Sequence, residues 1–226
     1  MIQVNGFWLP DHETHLQQFL ENGPEFAGGP TYQLHKLLRA MPAIKNFRTA
    51  LDIGAHCGLW SRVLARMFRT VHAFEPVPGH RNCFNRNIFK DSERATNVNL
   101  WPYALGNTAH SCTLHTGPSS SGDTYIKPGG EHQAEMKMLD SFGENGIELP
   151  LGDIDFIKID CEGYELFVLE GGEELIRKHQ PCVIVEQKPG KGRQFNLDDT
   201  AAVSLLESWG AFKMKEISGD YIMAWR

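Results

Sequence analysis

One short turn combines glycines with a carboxylate. The run Asp52-Ile53-Gly54-Ala55-His56-Cys57-Gly58 follows an apolar start (Ala50, Leu51) and opens a helix-like stretch through Leu59, Val63, Leu64 and Met67. A second apolar run, Val71 to Phe74, is closed by Glu75 and Pro76. Strand, glycine turn, helix, strand, acid is the order of a βαβ unit that binds a ligand with a ribose. Glycines let backbone N–H groups approach such a ligand, and the helix start adds a positive dipole. The two oxygens of Glu75 can accept hydrogen bonds from both ribose hydroxyls. The plainer reading of Glu75 is a helix-capping or solvated acid. The spacing from Gly54 to Gly58 is not G-x-G-x-x-G, and no G-x-x-x-x-G-K-[ST] occurs, so a pyrophosphate-binding fingerprint is absent. Asp52 would repel a pyrophosphate but can receive an ammonium, directly or through water.

A second set of acids stands further along the chain. Asp160 and Glu162 follow the apolar run Ile154–Ile159, and Glu186 follows Cys182–Val185. Ligands of open α/β sheets bind outside the carboxyl ends of the strands, so these three carboxylates converge on one rim. Plainer roles compete for their neighbours. Glu162 and Glu165 suit a helix start, Asp140 a short helix cap, and Lys158 an ion pair with a nearby acid. Cys57 and Cys161 read as small fillers at turns. Lys188–Arg193 is a basic loop at the same rim, either solvated or facing an anionic group.

The elements that must hold these residues alternate. Strands are expected at Ala50–Ile53, Val71–Phe74, Val98–Ala104, Ile154–Ile159 and Cys182–Val185, mostly as continuous apolar runs suited to parallel strands buried on both faces. Helices are expected at Leu59–Met67, Gly79–Ile88, Tyr164–His179 and Asp198–Trp209, and a hairpin at Ala211–Ile217 and Tyr221–Trp225. This is an α/β, Rossmann-like sheet, mostly parallel, with an antiparallel C-terminal hairpin and helices on both faces. Residues 1–48 read as a mainly helical cap, with Thr31 capping its second helix and Gly23–Pro30 as a loop. Residues 106–150 read as an inserted meander, with a loop from Gly117 to Gly130. No repeat or second domain is evident, so residues 1–226 are expected to form one domain.

Composition sets outer bounds. The chain has 226 residues, 41% apolar and 22% charged, with net charge −6. That balance disfavours broad nucleic-acid binding. No apolar run reaches the roughly 20 residues of a membrane span, and the N-terminus lacks a signal-peptide pattern. The five cysteines are widely spaced without a CxxC pair, which favours a reducing cytoplasm over a disulfide framework or a thiolate zinc site.

Taken together, the motifs resemble those of FkbM-type S-adenosylmethionine-dependent methyltransferases. That family has a D-[IV]-G-A-N-x-G turn, an F-E-P motif and a K-x-D-x-E-G-x-E segment. Here stand Asp52–Gly58, Phe74-Glu75-Pro76 and Lys158–Glu165, with Leu139-Asp140-Ser141-Phe142 and Leu169-Glu170-Gly171 matching smaller pieces. The resemblance covers about residues 48–190 and departs at His56, where the family has asparagine. The terminal hairpin matches the antiparallel last strand of class I methyltransferases. The resemblance implies S-adenosylmethionine bound by Asp52, Gly54, Ala55, His56, Gly58, Glu75, Pro76, Ala104, Leu105 and Asp160. In this fold the end of the third strand, Tyr103-Ala104-Leu105, lines the adenine; ordinary core packing is the plainer reading of Tyr103.

It also implies methyl transfer to a hydroxyl of a sugar, glycan or natural product. Such an acceptor needs its proton removed, by Asp160, Glu162, Glu186 or a nearby histidine. A Mg²⁺-like ion held by Asp160 and Glu186 is the other route to an acidified hydroxyl. Two rival functions stand beside this one: a scaffold that keeps the fold without turnover, suggested by His56, and a nicotinamide oxidoreductase.

Overall fold

The computed structural model describes residues 1–11, 13–26, 29–90, 94–118, 120–142 and 151–226. In chain order the elements are β1 (Ile2–Val4), β2 (Phe7–Leu9), α1 (His15–Asn22), β3 (Glu25–Phe26), β4 (Gly29–Pro30), α2 (Leu34–Ala40), β5 (Thr49–Ile53), α3 (Leu59–Ala65), β6 (Thr70–Phe74), α4 (Pro78–Phe84), β7 (Val98–Trp101), β8 (Tyr103–Leu105), β9 (His110–Thr116), β10 (Thr124–Ile126), β11 (His132–Lys137), β12 (Ile154–Ile159), α5 (Glu165–Glu170), α6 (Glu173–His179), β13 (Cys182–Glu186), α7 (Ala201–Ser208), β14 (Phe212–Ile217) and β15 (Asp220–Ala224).

Seven strands form the main sheet in the order β14-β15-β13-β12-β5-β6-β7. From β13 to β7 the neighbours run parallel, while β15 is antiparallel to both β13 and β14. β5, β12 and β13 are buried along their whole length, which is why they read as unbroken apolar runs. After β5 the chain adds strands on one side, and from β12 it adds them on the other. The order therefore reverses between β5 and β12, the place where such sheets open a ligand crevice. The two large apolar clusters, one around Leu51, Ile157 and Val185 and one around Ala50, Phe84 and Ile184, hold the sheet and its helices together.

Several expected elements differ in detail. Val98–Ala104 is not one strand: Pro102, with no N–H to donate and a fixed φ, separates β7 in the main sheet from β8 in a second one. That second sheet, β10-β9-β11-β8, is the expected meander, although residues 119 and 143–150 of the insertion lie outside the described residues. Tyr164–His179 is two helices, interrupted at Gly171-Gly172, where helix propensity is lowest. Asp140 caps α6, accepting from Glu174 N and Leu175 N, rather than its own turn.

The first 48 residues are less helical than expected. They open with the hairpin β1-β2, turned at Asn5-Gly6, both with positive φ. Asn-Gly suits the two-residue hairpin turn whose twist matches its strands. Thr31 does not cap α2; its hydroxyl donates to Pro24 O at 2.7 Å, and α2 begins after Gln33. The expected Gly23–Pro30 loop holds the short pair β3-β4, and its residues 27–28 are not among those described. The hairpin is fastened to the sheet by buried Asn87, whose amide donates to Trp8 O and Cys57 O at 2.9 and 2.8 Å.

Candidate active site

The turn after β5 is fixed from two sides. Gly54 N and Ala55 N both donate to Phe74 O at 3.0 Å. Gly54 has φ +78°, and a Cβ there would fall 1.9 Å from the Asp160 carbonyl oxygen. Only glycine lets the turn after β5 meet the end of β12 across the switch point. His56 sits in the left-handed region at φ +50°, and its N–H donates to Glu75 Oε2 at 2.8 Å. Glu75 Oε1 accepts from Val77 N at 2.8 Å and from His80 Nδ1 at 3.2 Å. Burial alone would raise the Glu75 carboxyl, but His80 and the amide donors bring it below its ordinary value, so it is ionised. Burial, aided by nearby His80, holds His56 neutral with a pKa lowered to about 3.

The K-x-D-x-E-G-x-E segment is explained residue by residue. Lys158, 1% exposed, points from within β12 to Asp160 Oδ2 at 3.0 Å and Asp220 Oδ1 at 3.5 Å. Glu162 and Gly163 both take positive φ, and a Cβ on Gly163 would lie 2.4 Å from the Lys191 carbonyl oxygen. That tight turn aims Glu162 into the cleft. Glu165 caps it, its Oε1 accepting from Cys161 N and Gly163 N at 3.0 and 2.9 Å.

Asp160, Glu162 and Glu186 come together at the ends of β12 and β13, near enough for one cation to touch all three. Each already faces a lysine. Lys158 pairs with Asp160, Lys188 with Glu186 Oε1 at 2.5 Å, and Lys191 with Glu162. Three ammonium groups thus balance the charge that a divalent ion would balance, and the donor set does not fit a resident metal. Burial works to raise Asp160, yet Lys158 and a hydrogen bond from Glu186 hold it well below the usual carboxylate range. Glu186 behaves oppositely: burial and the Asp160 charge push it up to about 9. Asp160 carries the charge and Glu186 the proton, with the other Glu186 oxygen facing Lys188.

Two adjoining compartments share Gly54, His56, Asp160 and Glu162. One is largely apolar, lined by Phe74, Glu75, Pro76, Tyr103, Ala104 and Leu105 on the sheet side and by Ser121–Ile126 residues of the meander on the other; its free volume is about 70 Å³. The other is polar and about 560 Å³, lined by Asp52, Ala55, Trp60, Lys158, Glu186, Lys188 and Tyr32. Asp52 forms part of its lining, accepts from Ser61 Oγ at 2.5 Å, and is raised by burial to about 6. The structure thus brings together the sequence candidates Asp52, Gly54, Ala55, His56, Glu75, Pro76, Ala104, Leu105, Asp160, Glu162 and Glu186. Gly58 is the exception: it lines neither compartment and packs against Phe84 and Ile88.

Sequence reasoning missed Glu13, Tyr32, Trp60, His80 and Ser121, all of which touch the cleft or its ligating groups. Trp60 and His80 followed known motifs closely enough to be found. Glu13 and Ser121 lie far from each other in sequence and carried no local signal.

A switch-point crevice, an acid after the second parallel strand and an antiparallel terminal hairpin give the chain the class I methyltransferase fold. An O-methyltransferase from Bacillus cereus in complex with SAH shares the fold, with TM-score 0.51, 18% identity, and coverage of 96% of this chain and 83% of that one. Methyltransferase FkbM from Methylobacillus flagellatus aligns with TM-score 0.49 and 16% identity over 79% of this chain and 43% of that chain. A SAM-dependent methyltransferase from Aquifex aeolicus aligns at TM-score 0.46 and 19% identity, covering 85% of this chain and 90% of that one. No curated protein matches the sequence. The family model for the methyltransferase FkbM domain matches residues 52–212, and the chain belongs to that family. Membership implies S-adenosylmethionine as the methyl donor. Among the described residues no helix is long and apolar enough to cross a membrane.

Proposed function

We propose that this protein transfers a methyl group from S-adenosylmethionine to a hydroxyl oxygen of a small acceptor, a sugar, glycan or natural product. The observation that carries this reading is one cleft with two unlike acid sets: ionised Glu75 beside an apolar wall, and the Asp160–Glu186 pair in a polar compartment. The donor set fits the cofactor. Glu75 has acceptor capacity left for ribose hydroxyls beyond its bonds to His56, Val77 and His80. Tyr103, Ala104 and Leu105 offer an apolar surface for a base. Asp52 and Asp160 offer carboxylates for an ammonium.

Bound S-adenosylmethionine supplies an electrophilic methyl group on a positively charged sulfur. The chain's own residues then position the acceptor and move its proton. Trp60 and Tyr32 form walls of the polar compartment against which a ring can lie. Asp160, kept ionised by Lys158, supplies the negative charge that raises the basicity of Glu186. Glu186 in its ionised form would accept the hydroxyl's hydrogen bond, orient the oxygen and take its proton. A carboxylate whose pKa is raised to about 9 is a far stronger base than an ordinary one.

Calorimetric titration with S-adenosylmethionine, followed by a radiolabelled methyl-transfer assay on a panel of hydroxyl acceptors, tests the reading. Binding and turnover on at least one hydroxyl are expected. Binding without any turnover on such a panel favours the scaffold reading, and binding of NADH in place of S-adenosylmethionine overturns both.

A further inference from the structure

The two walls of the apolar compartment differ in how they are held. The sheet-side wall, Phe74 and Glu75 with Tyr103–Leu105, stands on strand ends. The opposite wall is the meander segment Ser121–Ile126. About 70 Å³ lies between them, against the roughly 300 Å³ at the lower end of small-molecule sites. An adenosyl group enters only if one wall retreats. Phe74 is locked into the seven-stranded ladder, and Tyr103–Leu105 and Thr124–Ile126 are strands of the four-stranded sheet, so the stretch of wall outside any strand, Ser120–Asp123, is the part that moves.

What holds that segment down is a buried side-chain carboxylate from another part of the chain. Glu13 is 0% exposed. Its Oε2 accepts from Ser121 N at 2.8 Å, Ser121 Oγ at 2.5 Å and Ser120 Oγ at 3.1 Å. Its Oε1 accepts from Leu16 N at 2.8 Å, which anchors the acid to the start of α1. Ser121 has one hydroxyl proton, and Glu13 takes it. His56 Nε2, 2.8 Å from the same Ser121 oxygen, must therefore carry the hydrogen and donate. His56 in turn donates its backbone N–H to Glu75. Residues 13, 56 and 121 thus join the N-terminal segment, the cofactor turn and the meander at one point. Histidine, at the position where this chain departs from the family's asparagine, has the reach to make the third link.

We infer that Glu13, Ser121 and His56 form a clasp that holds Ser120–Asp123 over the cofactor compartment, and that the cofactor enters when the clasp opens. The three are positioning residues, and the inference rests on the cofactor assignment proposed above. Because about 70 Å³ cannot hold an adenosyl group, the clasp stays open while the ligand is bound, so loosening it speeds entry and favours the bound state.

The test is stopped-flow binding of S-adenosylhomocysteine to the full chain, with Ser121→Ala and Glu13→Gln compared with the wild type. In both variants the association rate constant should rise by about tenfold, the size of one hydrogen bond to a buried carboxylate, and Kd should fall by a similar factor. Amide hydrogen exchange at Ser121 in the ligand-free protein should rise by a similar factor in Glu13→Gln. Folded variants whose association rate stays within twofold of wild type overturn the clasp alone, as does a weaker Kd without faster association, the mark of a merely structural role. A wild-type protein that does not bind S-adenosylhomocysteine overturns the cofactor assignment and the clasp with it.

Discussion

Along the sheet rim, Asp52, Glu75, Asp160 and Glu186 each stand on a strand or one residue beyond it. Across the cleft, Glu13, Ser121 and Asp123 belong to segments outside that sheet and are held by side chains from distant parts of the sequence. The rim is positioned by a parallel ladder that forms whether or not its side chains are chemically useful. The cover continues into β10, which is paired to β9, and its Ser120–Asp123 stretch is held by a few polar contacts. Rim substitutions should therefore change chemistry or affinity at nearly constant fold, and cover substitutions should change access.

The largest effect should come from the acid pair. Glu186→Gln removes the proton acceptor and Asp160→Asn the charge that makes it basic. Each should lower kcat by about 10²–10⁴-fold, the usual contribution of general base catalysis; the Kd of S-adenosylhomocysteine should stay within about threefold in Glu186→Gln and rise by less than kcat falls in Asp160→Asn, which also loses a charge facing the ammonium. In the wild type, turnover should climb as pH rises toward 9, because Glu186, raised to about 9, must lose its proton to act. A flat alkaline profile, or full activity in Glu186→Gln, removes it as the base.

Next in size is Glu75→Ala. Losing charge-assisted hydrogen bonds to a ribose should weaken cofactor binding by about 1.5–3 kcal/mol, roughly 10–150-fold in Kd. Turnover at saturating cofactor should fall much less. An unchanged Kd in a folded Glu75→Ala protein ends the ribose role.

The same contrast explains what could be read from the sequence. The parallel strands are buried on both faces, so β5, β6, β12 and β13 announce themselves as apolar runs, and the acids at their ends follow from the fold. Pro102 and Gly171-Gly172 were also present as local signals, as was Asn5-Gly6 between the alternating Ile2-Gln3-Val4 and Phe7-Trp8-Leu9; propensity reasoning over longer windows passed over them. The clasp differs in kind. Nothing near Glu13 specifies an acceptor for Ser121, because their meeting depends on how the first segment and the meander both dock on the finished sheet. The lysines of the rim fall between these cases. Lys158 was readable as a partner for an acid, whereas the placing of a lysine against each of the three carboxylates needed the tertiary arrangement.

Stability should carry a smaller, pH-dependent trace of the acid pair. Glu186 is raised from 4.5 to about 9, so between those values the folded chain holds a proton that the unfolded chain has released. Its contribution to stability is full below about 4.5 and is lost as pH rises through about 9. Asp52, raised to about 6, and Glu165, raised to about 7 by burial, act in the same direction below neutrality. The range from pH 7.5 to 9 is therefore where Glu186 is best isolated among these carboxyls. Urea titrations there should show Glu186→Gln losing less stability per pH unit than wild type, by at most about 1.4 kcal/mol per unit for one proton. Equal slopes in the two proteins would show that Glu186 is already ionised in the fold.

The smallest effect separates the two ties of the cover. Asp123 Oδ1 meets Lys191 Nζ at 2.8 Å, but their side chains are 46% and 34% exposed. Water screens such a pair and side-chain entropy opposes it, so its worth is about 0.2–1 kcal/mol. Lys191 also keeps Glu162 as a partner when Asp123 is removed. Asp123→Ala should therefore lower Tm by no more than about 2–4 °C in a chain of this size, and speed cofactor association less than Ser121→Ala does. Rates raised equally by the two substitutions would mean that the exposed tie holds the cover as firmly as the buried one, and that burial is not what distinguishes the clasp.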